Sequence, residues 1–435
     1  MQTKINKISD VEFDLEITAT ADDLSEDLEK VIRAQRGRTT MKGFRPGHVP
    51  LSLVKKVYGK SLAYGVAEDT VQKTYETRVL KADEYEVLGQ PKITNLSYEY
   101  EGDLRAVVRF GIRPRFKLMD LSKTKINRLI HEVTVEEVEK EIDAMRARHA
   151  ELIPDDGPIT GESFIIVDMQ RMDGESGTPL VGKKQEDVSI LLSDENVLPQ
   201  LKDGVIGKKA GESVTVSLPA PEGEEGNRTY EIELKEVKRR ELPELDEELI
   251  EQISNDKFSD LEAFQAEIRR QLEAGWKRRA TELFESDAIS SAIDLHDFQI
   301  PESVIEMYLD AYVRDAKSQS GGELPQNFDE AHFRKIRRDE AERQARWMFI
   351  RDHIIETCSL KLTDEEHDAF FERTADDGLP AETMKKYYQA VPNMMEQLDQ
   401  RLLSEKVFAW IAEQVEVEEM GLEAYQEAVK NGDDA

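Results

Sequence analysis

Gly43-Phe44-Arg45-Pro46-Gly47-His48-Val49-Pro50 is the stretch that divides the N-terminal part of this 435-residue chain. Two prolines and two glycines within eight residues are incompatible with a continuous helix. Apolar residues at helical spacing precede the octapeptide and end near Arg38. They resume after it, over Leu51–Tyr58 and Leu62–Leu80. The sequence therefore predicts a helix–loop–helix segment in which the loop presents one aromatic and one arginine.

The same region carries only positive charge. From Lys30 to Ala67 there is no acidic residue, although the formal net charge of the chain is −32. A basic segment on an acidic protein is typical of a surface that binds a polyanion. A solvated helix face normally mixes acidic and basic residues, so we favour polyanion binding. The nine basic residues are Lys30, Arg33, Arg36, Arg38, Lys42, Arg45, Lys55, Lys56 and Lys60.

The acidity of the chain lies downstream of this segment. Residues 1–120 contain 20 Lys and Arg against 19 Asp and Glu, whereas the rest of the chain has a net charge of −33. Such acidity would keep a surface hydrated in a salt-rich cytoplasm. It would also repel nucleic acid everywhere except at one docking point. The sequence leaves both explanations open.

Several classes of function are disfavoured by what the sequence lacks. Cys358 is the only cysteine, which excludes an intrachain disulfide and a cysteine zinc site. The seven histidines show no i,i+4 pair, and the segment Gly204–Gly211 lacks the ending of a phosphate-binding loop. No apolar h-region and no run of about 18 apolar residues is present. We therefore expect a cytoplasmic protein without a cofactor or a metal.

Hydrophobic patterning predicts a multidomain α+β protein. Residues 4–20 alternate like a half-buried strand, and Glu86–Tyr100 and Leu104–Phe116 are typical of two more strands. With the helix–loop–helix they make an α+β head, residues 1–117. Residues 118–152 are expected to form a linker that contains a charged helix over Val135–His149.

The remaining chain changes character twice. Residues 153–240 contain four short strand-like runs separated by turn residues, which predicts a small antiparallel β domain. The runs are Ser163–Gln170, Asp187–Leu192, Glu212–Leu218 and Thr229–Val237. Residues 241–435 show only helical periodicity and predict an extended, all-helical body with long arms.

The helical body has two interpretations. Its scattered apolar residues could line a cradle for unfolded chains, to which flexible methionines at 307, 348, 394 and 395 would contribute. Ordinary packing between helices explains the same residues. The pattern by itself favours packing.

The octapeptide Gly43–Pro50 resembles the ribosome-docking motif of the bacterial trigger factor family. The segment Glu241-Leu-Pro-Glu-Leu245 and the order of the predicted domains are also similar to that family, and the resemblance covers essentially the whole chain. It implies a ribosome-associated chaperone that binds nascent chains at the tunnel exit without ATP. It also implies an FKBP-like peptidyl-prolyl isomerase domain in the middle and a possible homodimer off the ribosome.

The resemblance assigns the ribosome contact to the loop. Phe44, Arg45 and Pro46 would touch the ribosomal protein and RNA at the exit, and His48 stands where the family usually has a basic residue. The alternative for Phe44 is burial that pins the loop. Together with the basic segment, the predicted ribosome-binding residues are Arg38, Lys42, Gly43, Phe44, Arg45, Pro46 and Gly47.

The resemblance also implies an isomerase pocket in the middle domain, although some residues of this chain differ from the family pattern there. Met169 and Leu201 stand where pocket aromatics are usual, while Tyr230 keeps one aromatic. An isomerase pocket works by shape and desolvation on a barrier of roughly 20 kcal/mol, so lost aromatics should weaken it. The predicted pocket residues are Asp168, Met169, Leu198, Leu201 and Tyr230.

Three functions are weighed on this basis. A ribosome-docked chaperone for nascent polypeptides is the leading hypothesis. A protein that acts mainly as a prolyl isomerase is the second, and a plain RNA-binding protein is the third. Neither DNA nor a membrane is an expected partner.

Overall fold

The computed structural model describes residues 1–45, 47–82, 84–173, 176–194, 196–220, 226–325, 327–375 and 379–433. Pro46, one of the predicted ribosome-binding residues, lies outside these ranges. Contacts divide the chain into two compact units. Unit 1 comprises Met1–Leu129 and Glu282–Ala435, and unit 2 comprises Ile130–Thr281. The four predicted domain ranges stay predictions.

The first part of the chain alternates strands and helices. Its elements are β1 Gln2–Lys7, β2 Glu12–Ala19, α1 Ala21–Arg38, α2 Leu51–Tyr75 with a π-helical turn Glu76–Leu80, β3 Val87–Tyr98, β4 Leu104–Ile112 and β5 Lys125–Leu129. The middle part is richer in strands. Its elements are α3 Val135–Arg148, β6 Glu151–Pro154, β7 Phe164–Met172, β8 Pro179–Leu191, α4 Pro199–Val205, β9 Ser213–Pro219 and β10 Asn227–Glu241.

The last part is mostly helical. Its elements are α5 Glu247–Ser254, α6 Leu261–Leu295, α7 Glu302–Gln319, α8 Glu330–Ile336, α9 Arg338–Thr357, α10 Asp364–Thr374, α11 Ala381–Ala390, α12 Met394–Gln414, β11 Glu416–Met420 and α13 Leu422–Asp433. The predicted multidomain α+β class is confirmed. Among the described residues, no helix is both long enough and apolar enough to span a membrane.

In unit 1 a four-stranded antiparallel sheet carries the helix–loop–helix. The strand order is β1-β2-β4-β3. Leu15 and Ile17 of β2 pack with Phe110 of β4 against apolar residues of α1 and α2. The predicted single strand over 4–20 is in fact a hairpin, because Ser9 turns the chain and its hydroxyl accepts the backbone N–H of Glu12.

The prediction of two helices after the octapeptide is wrong, since α2 runs through Gly59 without a break. Gly59 is buried, and a Cβ there would lie 2.8 Å from the Tyr100 hydroxyl oxygen. The glycine thus allows an aromatic ring to approach the helix and does not end it. Threonine capping boxes begin α1 at Thr20, α3 at Thr134 and α10 at Thr363.

The described residues of the helical part of unit 1 form several separate apolar clusters, one of them large, in place of one continuous core. Phe284 and Ile350 belong to one cluster, Phe349 to another, Ile305 and Leu309 to a third, and Phe371 to a fourth. The prediction that this half is all-helical is wrong at β11, which pairs in parallel with β5. Its sequence Glu-Val-Glu-Glu-Met has no strong strand signal, so the pairing with β5 decides its conformation.

The first turn of α7 packs against the head sheet within unit 1. The Ser303 hydroxyl donates to the Leu88 carbonyl oxygen at 2.7 Å, and the Glu302 backbone N–H donates to a Glu12 carboxylate oxygen at 3.1 Å. Gly89 and Gly111 leave the room for this contact. A Cβ at Gly89 would lie 2.6 Å from the Ser303 carbonyl oxygen.

In unit 2 a five-stranded antiparallel sheet follows the order β6-β10-β7-β8, with β9 also paired to β10. Ile165, Val167, Ile232 and Leu234 form its core together with Leu192 and with Val205 of α4. The four predicted strands are confirmed, although β8 begins eight residues earlier than expected. Helix α3, predicted as part of a linker, packs Val138 and Ile142 against α5 and the start of α6.

We expect Gly89→Ala to destabilise unit 1 by about 3 kcal/mol. The added Cβ meets the Ser303 backbone, and Gly89 has a φ of 68°, which an L-residue adopts only with strain. Gly321→Ala is the control, because Gly321 has a φ of 79° and no atom near its Cβ position. It should lose about 1 kcal/mol. Urea unfolding followed by circular dichroism checks both values, and equal losses would contradict the steric explanation.

Candidate functional site

The octapeptide loop is fixed at both of its ends. At the end of α1, Thr39 is buried, and its hydroxyl donates to the Gln35 carbonyl oxygen at 2.8 Å. At the start of α2, Val49 and Val54 are buried in the core of the head. Met41 packs against the same core from within the loop. The described residues of the loop are therefore attached to the core of the head on both sides.

Backbone hydrogen bonds shape the loop between the anchors. The Phe44 N–H donates to the Met41 carbonyl oxygen at 3.0 Å, and the His48 N–H donates to the Arg45 carbonyl oxygen at 2.9 Å. Gly43 and Gly47 have φ values of 94° and 76°, a conformation that side-chain-bearing residues rarely adopt. The glycines of the motif thus allow two tight turns around Phe44 and Arg45.

Several side chains of the loop are exposed to solvent and accessible to a partner. Phe44 is 39% exposed, and Lys42, Arg45 and His48 are exposed. The alternative in which a buried Phe44 pins the loop is not what the structure shows, because Met41 and Thr39 take that role. Sequence reasoning missed these two anchors. The signal was present in Met41, an apolar residue beside a run of loop residues.

The basic segment divides into paired and unpaired cations. Lys30 lies 2.8 Å from Glu26, and Arg33 lies 2.9 Å from Glu29, one helical turn earlier on α1. Within the described ranges, no carboxylate lies within 4.0 Å of the other seven: Arg36, Arg38, Lys42, Arg45, Lys55, Lys56 and Lys60. The positive surface is therefore made by the end of α1, the loop and the start of α2.

The predicted isomerase residues of unit 2 come together only in part. Met169 on β7, Leu201 on α4 and Tyr230 on β10 belong to one apolar cluster. Met169 and Leu201 are buried, and Tyr230 is half-buried. Leu198, which precedes α4, is 38% exposed and lies outside this cluster. Three of the five predicted residues thus belong to one apolar cluster.

Asp168 lies on the other face of β7. The side chains of residues 165, 167 and 169 point into the core. Side chains alternate along a strand, so that of Asp168 points away from the core. Asp168 is only 5% exposed and accepts the backbone N–H of Asp187 at 2.9 Å. Its carboxylate also lies 2.9 Å from Lys184 and 3.2 Å from Lys235. Sequence reasoning missed both lysines, since nothing local connects them to Asp168.

This arrangement fixes an irregularity in β8. The pairing of β7 with β8 shifts register between Val167 and Met169, and Asp187 in the shifted segment has a φ of 55°. The Asp187 backbone N–H, followed by the ammonium groups of Lys184 and Lys235, lowers the pKa of Asp168 to about 2. Asp168 therefore has a structural role in holding the bulge.

Two surface clefts lie elsewhere. One of about 460 Å³ in unit 1 is lined by Phe116, Met119, His296 and Phe298 among others, and one of about 330 Å³ in unit 2 is lined by residues that include Glu162 and Arg239. Neither of these two clefts includes a predicted pocket residue. His296 is held on both ring nitrogens, by the Met119 backbone N–H at 2.8 Å and the Ala292 carbonyl oxygen at 2.7 Å.

The methionines of the proposed cradle differ in exposure. Met307 on α7 is 44% exposed, whereas Met348 and Met395 pack against neighbouring apolar clusters. Other large apolar side chains of the helical part are also exposed: Ile336, Leu379 and Tyr387.

Comparison with known proteins gives the family. The family model for the bacterial trigger factor protein matches residues 1–145, and the model for its C-terminus matches residues 260–413. The chain is 39% identical to the trigger factor of Salinibacter ruber over 98% of this chain and 96% of that protein. It is 32% identical to the trigger factor of Chlorobaculum tepidum over 86% of this chain and 88% of that protein. The chain belongs to the bacterial trigger factor family.

A solved structure has the same overall fold. It is described as "Promiscuous Substrate Recognition in Folding and Assembly Activities of the Trigger Factor Chaperone". The similarity covers 95% of this chain and all of that chain, with a TM-score of 0.50 and 22% sequence identity. At 22% sequence identity the match supports the fold only, and it carries no information about the roles of individual residues.

We expect Asp168→Asn to destabilise unit 2 at neutral pH and to do so less as the pH falls. The pKa of Asp168 is lowered in the folded state to about 2, against roughly 3.9 for an unfolded aspartate. The stabilisation that the charged Asp168 carboxylate gives to the folded state is thus complete above about pH 4 and is lost toward pH 2. The urea midpoints of variant and wild type should differ at pH 7 and converge below about pH 4.

Asp187→Asn is the control for this measurement. The Asp187 side chain is exposed and bonds to Lys235, and asparagine tolerates its left-handed backbone. We expect a small effect without the same pH dependence. A difference between Asp168→Asn and wild type that is as large at pH 3 as at pH 7 would contradict the role of the charged carboxylate.

Proposed function

We propose that this protein is a chaperone that docks on the ribosome through the octapeptide loop and holds emerging polypeptides. The observation that carries the proposal is the group of seven cations without a described carboxylate partner, arranged around the exposed Phe44. Ribosomal RNA supplies phosphates for the cations, and a ribosomal protein supplies an apolar pocket for the ring. Membership of the trigger factor family supports the same function.

Polypeptide holding is assigned to the helical part of unit 1. Outside its separate apolar clusters, apolar side chains are accessible at Met307, Ile336, Leu379 and Tyr387. Each contact with a client is weak because it buries only one side chain, at about 25 cal/mol per Å². Weak and dispersed contacts let a client leave and fold without an energy source. Self-association away from the ribosome stays a prediction of the family resemblance.

The acidic remainder of the chain orients docking. A net charge of −33 over residues 121–435 repels ribosomal phosphate, while the unpaired cations attract it. Only poses that lead with the loop are then favourable. A plain RNA-binding protein differs in one measurable respect, because it would bind naked RNA as well as ribosomes.

We expect the double substitution Phe44→Ala and Arg45→Ala to weaken ribosome binding by about 30-fold. This is the effect of removing about 2 kcal/mol at the centre of an interface. Cosedimentation with ribosomes at fixed salt measures it. Arg33→Ala is the matched control, because Arg33 belongs to the same basic segment but is paired with Glu29. Equal binding of the double variant and wild type would remove the docking proposal.

A second candidate function is prolyl isomerisation by unit 2. The observation that favours it is that Met169, Leu201 of α4 and Tyr230 all belong to the apolar cluster of this sheet. Because two of the three side chains are aliphatic and buried, we propose a weak activity that depends on Tyr230.

A protease-coupled assay on a proline peptide tests this activity. We expect a rate above that of buffer for the wild type and a several-fold lower catalysed rate for Tyr230→Leu. Leu198→Ala serves as the control, since Leu198 lies outside the cluster. A wild-type rate equal to buffer would end the isomerase proposal and leave the docking proposal unaffected.

A further inference from the structure

Helix α2 continues from the loop with an exposed stripe of three residues. Lys56, Lys60 and Tyr64 are all exposed and follow one another at intervals of four residues. Four residues of helix span about 6 Å, so the three side chains form a row of about 12 Å. Ala63 and Ala67, which follow Lys60 by three and seven residues, are buried in the core of the head. The stripe therefore runs along the border of the buried face of α2 and is itself exposed to solvent.

The charge of the stripe differs from that of the neighbouring helix. On α1, Lys30 and Arg33 are each matched by an acid four residues earlier. On α2 no acid precedes Glu68, and within the described part of the chain no carboxylate lies within 4.0 Å of Lys56 or Lys60. An ordinary solvated helix face resembles α1. On α2, Lys56 and Lys60 therefore remain available to an external anion.

Tyr64 adds a fixed aromatic ring to the row. Its hydroxyl donates to the Tyr98 carbonyl oxygen at 3.2 Å, and its ring meets the Tyr98 ring edge-on at 5.7 Å between centroids. The side chain nevertheless keeps 48% of its surface exposed. A tyrosine that only filled space would be more deeply covered. This one is held at the surface by its hydroxyl, with much of the ring accessible.

We propose that Lys56, Lys60 and Tyr64 bind a strand of ribosomal RNA next to the loop contact, with the lysines on two phosphates and the ring against an unstacked base. This inference rests on the proposed ribosome docking and extends it along α2. Lys56 lies five residues into α2, about 8 Å from the loop, so the two contacts are continuous.

The chemistry of the row favours RNA over an acidic protein surface. Ammonium groups act as point charges toward phosphate, and single-stranded RNA is recognised by stacking of bases on aromatic side chains. An acidic protein surface would neutralise the lysines but would leave the fixed ring without a specific role. In one RNA strand, the two lysines would meet the phosphates of the backbone and the ring of Tyr64 would meet a base.

The salt dependence of ribosome binding tests the two phosphate contacts. Each phosphate contact contributes about 0.7–0.9 to the slope of log K against log salt. We expect the full-length double variant Lys56→Gln and Lys60→Gln to have a slope about 1.4–1.8 smaller than wild type. The matched control is Lys73→Gln and Lys81→Gln, which removes the same charge from exposed lysines near the end of α2. It should keep the wild-type slope.

Substitutions of Tyr64 test the stacked base. Tyr64→Leu should weaken binding about fivefold or more, because base stacking on an aromatic contributes about 1–3 kcal/mol. Tyr64→Phe loses the hydroxyl bond but keeps the ring and its edge-on contact with Tyr98, and it should retain most of the binding. Neither change alters the charge, so the salt slope should stay at the wild-type value. Circular dichroism at the working temperature confirms that both variants are folded.

Hydroxyl-radical protection of the ribosomal RNA separates RNA from a protein partner. We expect wild type to protect a short backbone segment that the Lys56→Gln and Lys60→Gln variant no longer protects. An unchanged salt slope in that variant would overturn the inference, and the docking proposal would stand if the Phe44→Ala and Arg45→Ala variant still loses binding. The inference would also be overturned by a combined result. In that case the variant would have a reduced salt slope but unchanged RNA protection, and carbodiimide would cross-link the stripe to a ribosomal protein.

Discussion

The exclusion of carboxylates from residues 30–67 is the constraint on which the N-terminal surface depends. A lysine or arginine on a helix is neutralised most easily by an acid four residues away, as Lys30 and Arg33 are on α1. Beyond Arg33 that option is missing. The positive charge of the helix–loop–helix therefore remains available to a partner. In a chain of net charge −32 this local excess makes a positively charged region that attracts anions.

The shape of the loop makes that charge useful. Thr39, Met41 and Val49 attach the loop to the core of the head, and Phe44 and Arg45 lie exposed between these anchors. A preorganised loop loses little conformational entropy when it binds. The same head sheet receives the first turn of α7 through Gly89 and Ser303. The docking loop and the first turn of α7 thus belong to one compact unit.

The β domain shows how alternation along a strand separates roles. Along β7 the odd-numbered residues 165, 167 and 169 enter the core, and Asp168 between them meets Lys184 and Lys235 on the other face. The family resemblance groups Asp168 with Met169 because both stand within a motif of the family's isomerase pocket. In the structure they serve different purposes, one in holding the bulge of β8 and the other in the apolar cluster. Neighbouring residues of a strand rarely share a site.

The sequence by itself determined the helices and most strands, the conformation-breaking loop between α1 and α2, and the separation of charge. These features depend on residues close together in the chain, where periodicity, glycine, proline and i,i+4 spacing act directly. Only the tertiary structure decided the strand character of β11, the passage of α2 through Gly59 and the partners of Asp168. Each of these depends on a contact with a residue distant in sequence: β5 for β11, Tyr100 for Gly59 and Lys235 for Asp168. A local pattern carries no information about such partners, because the free energy that selects them arises when distant segments pack.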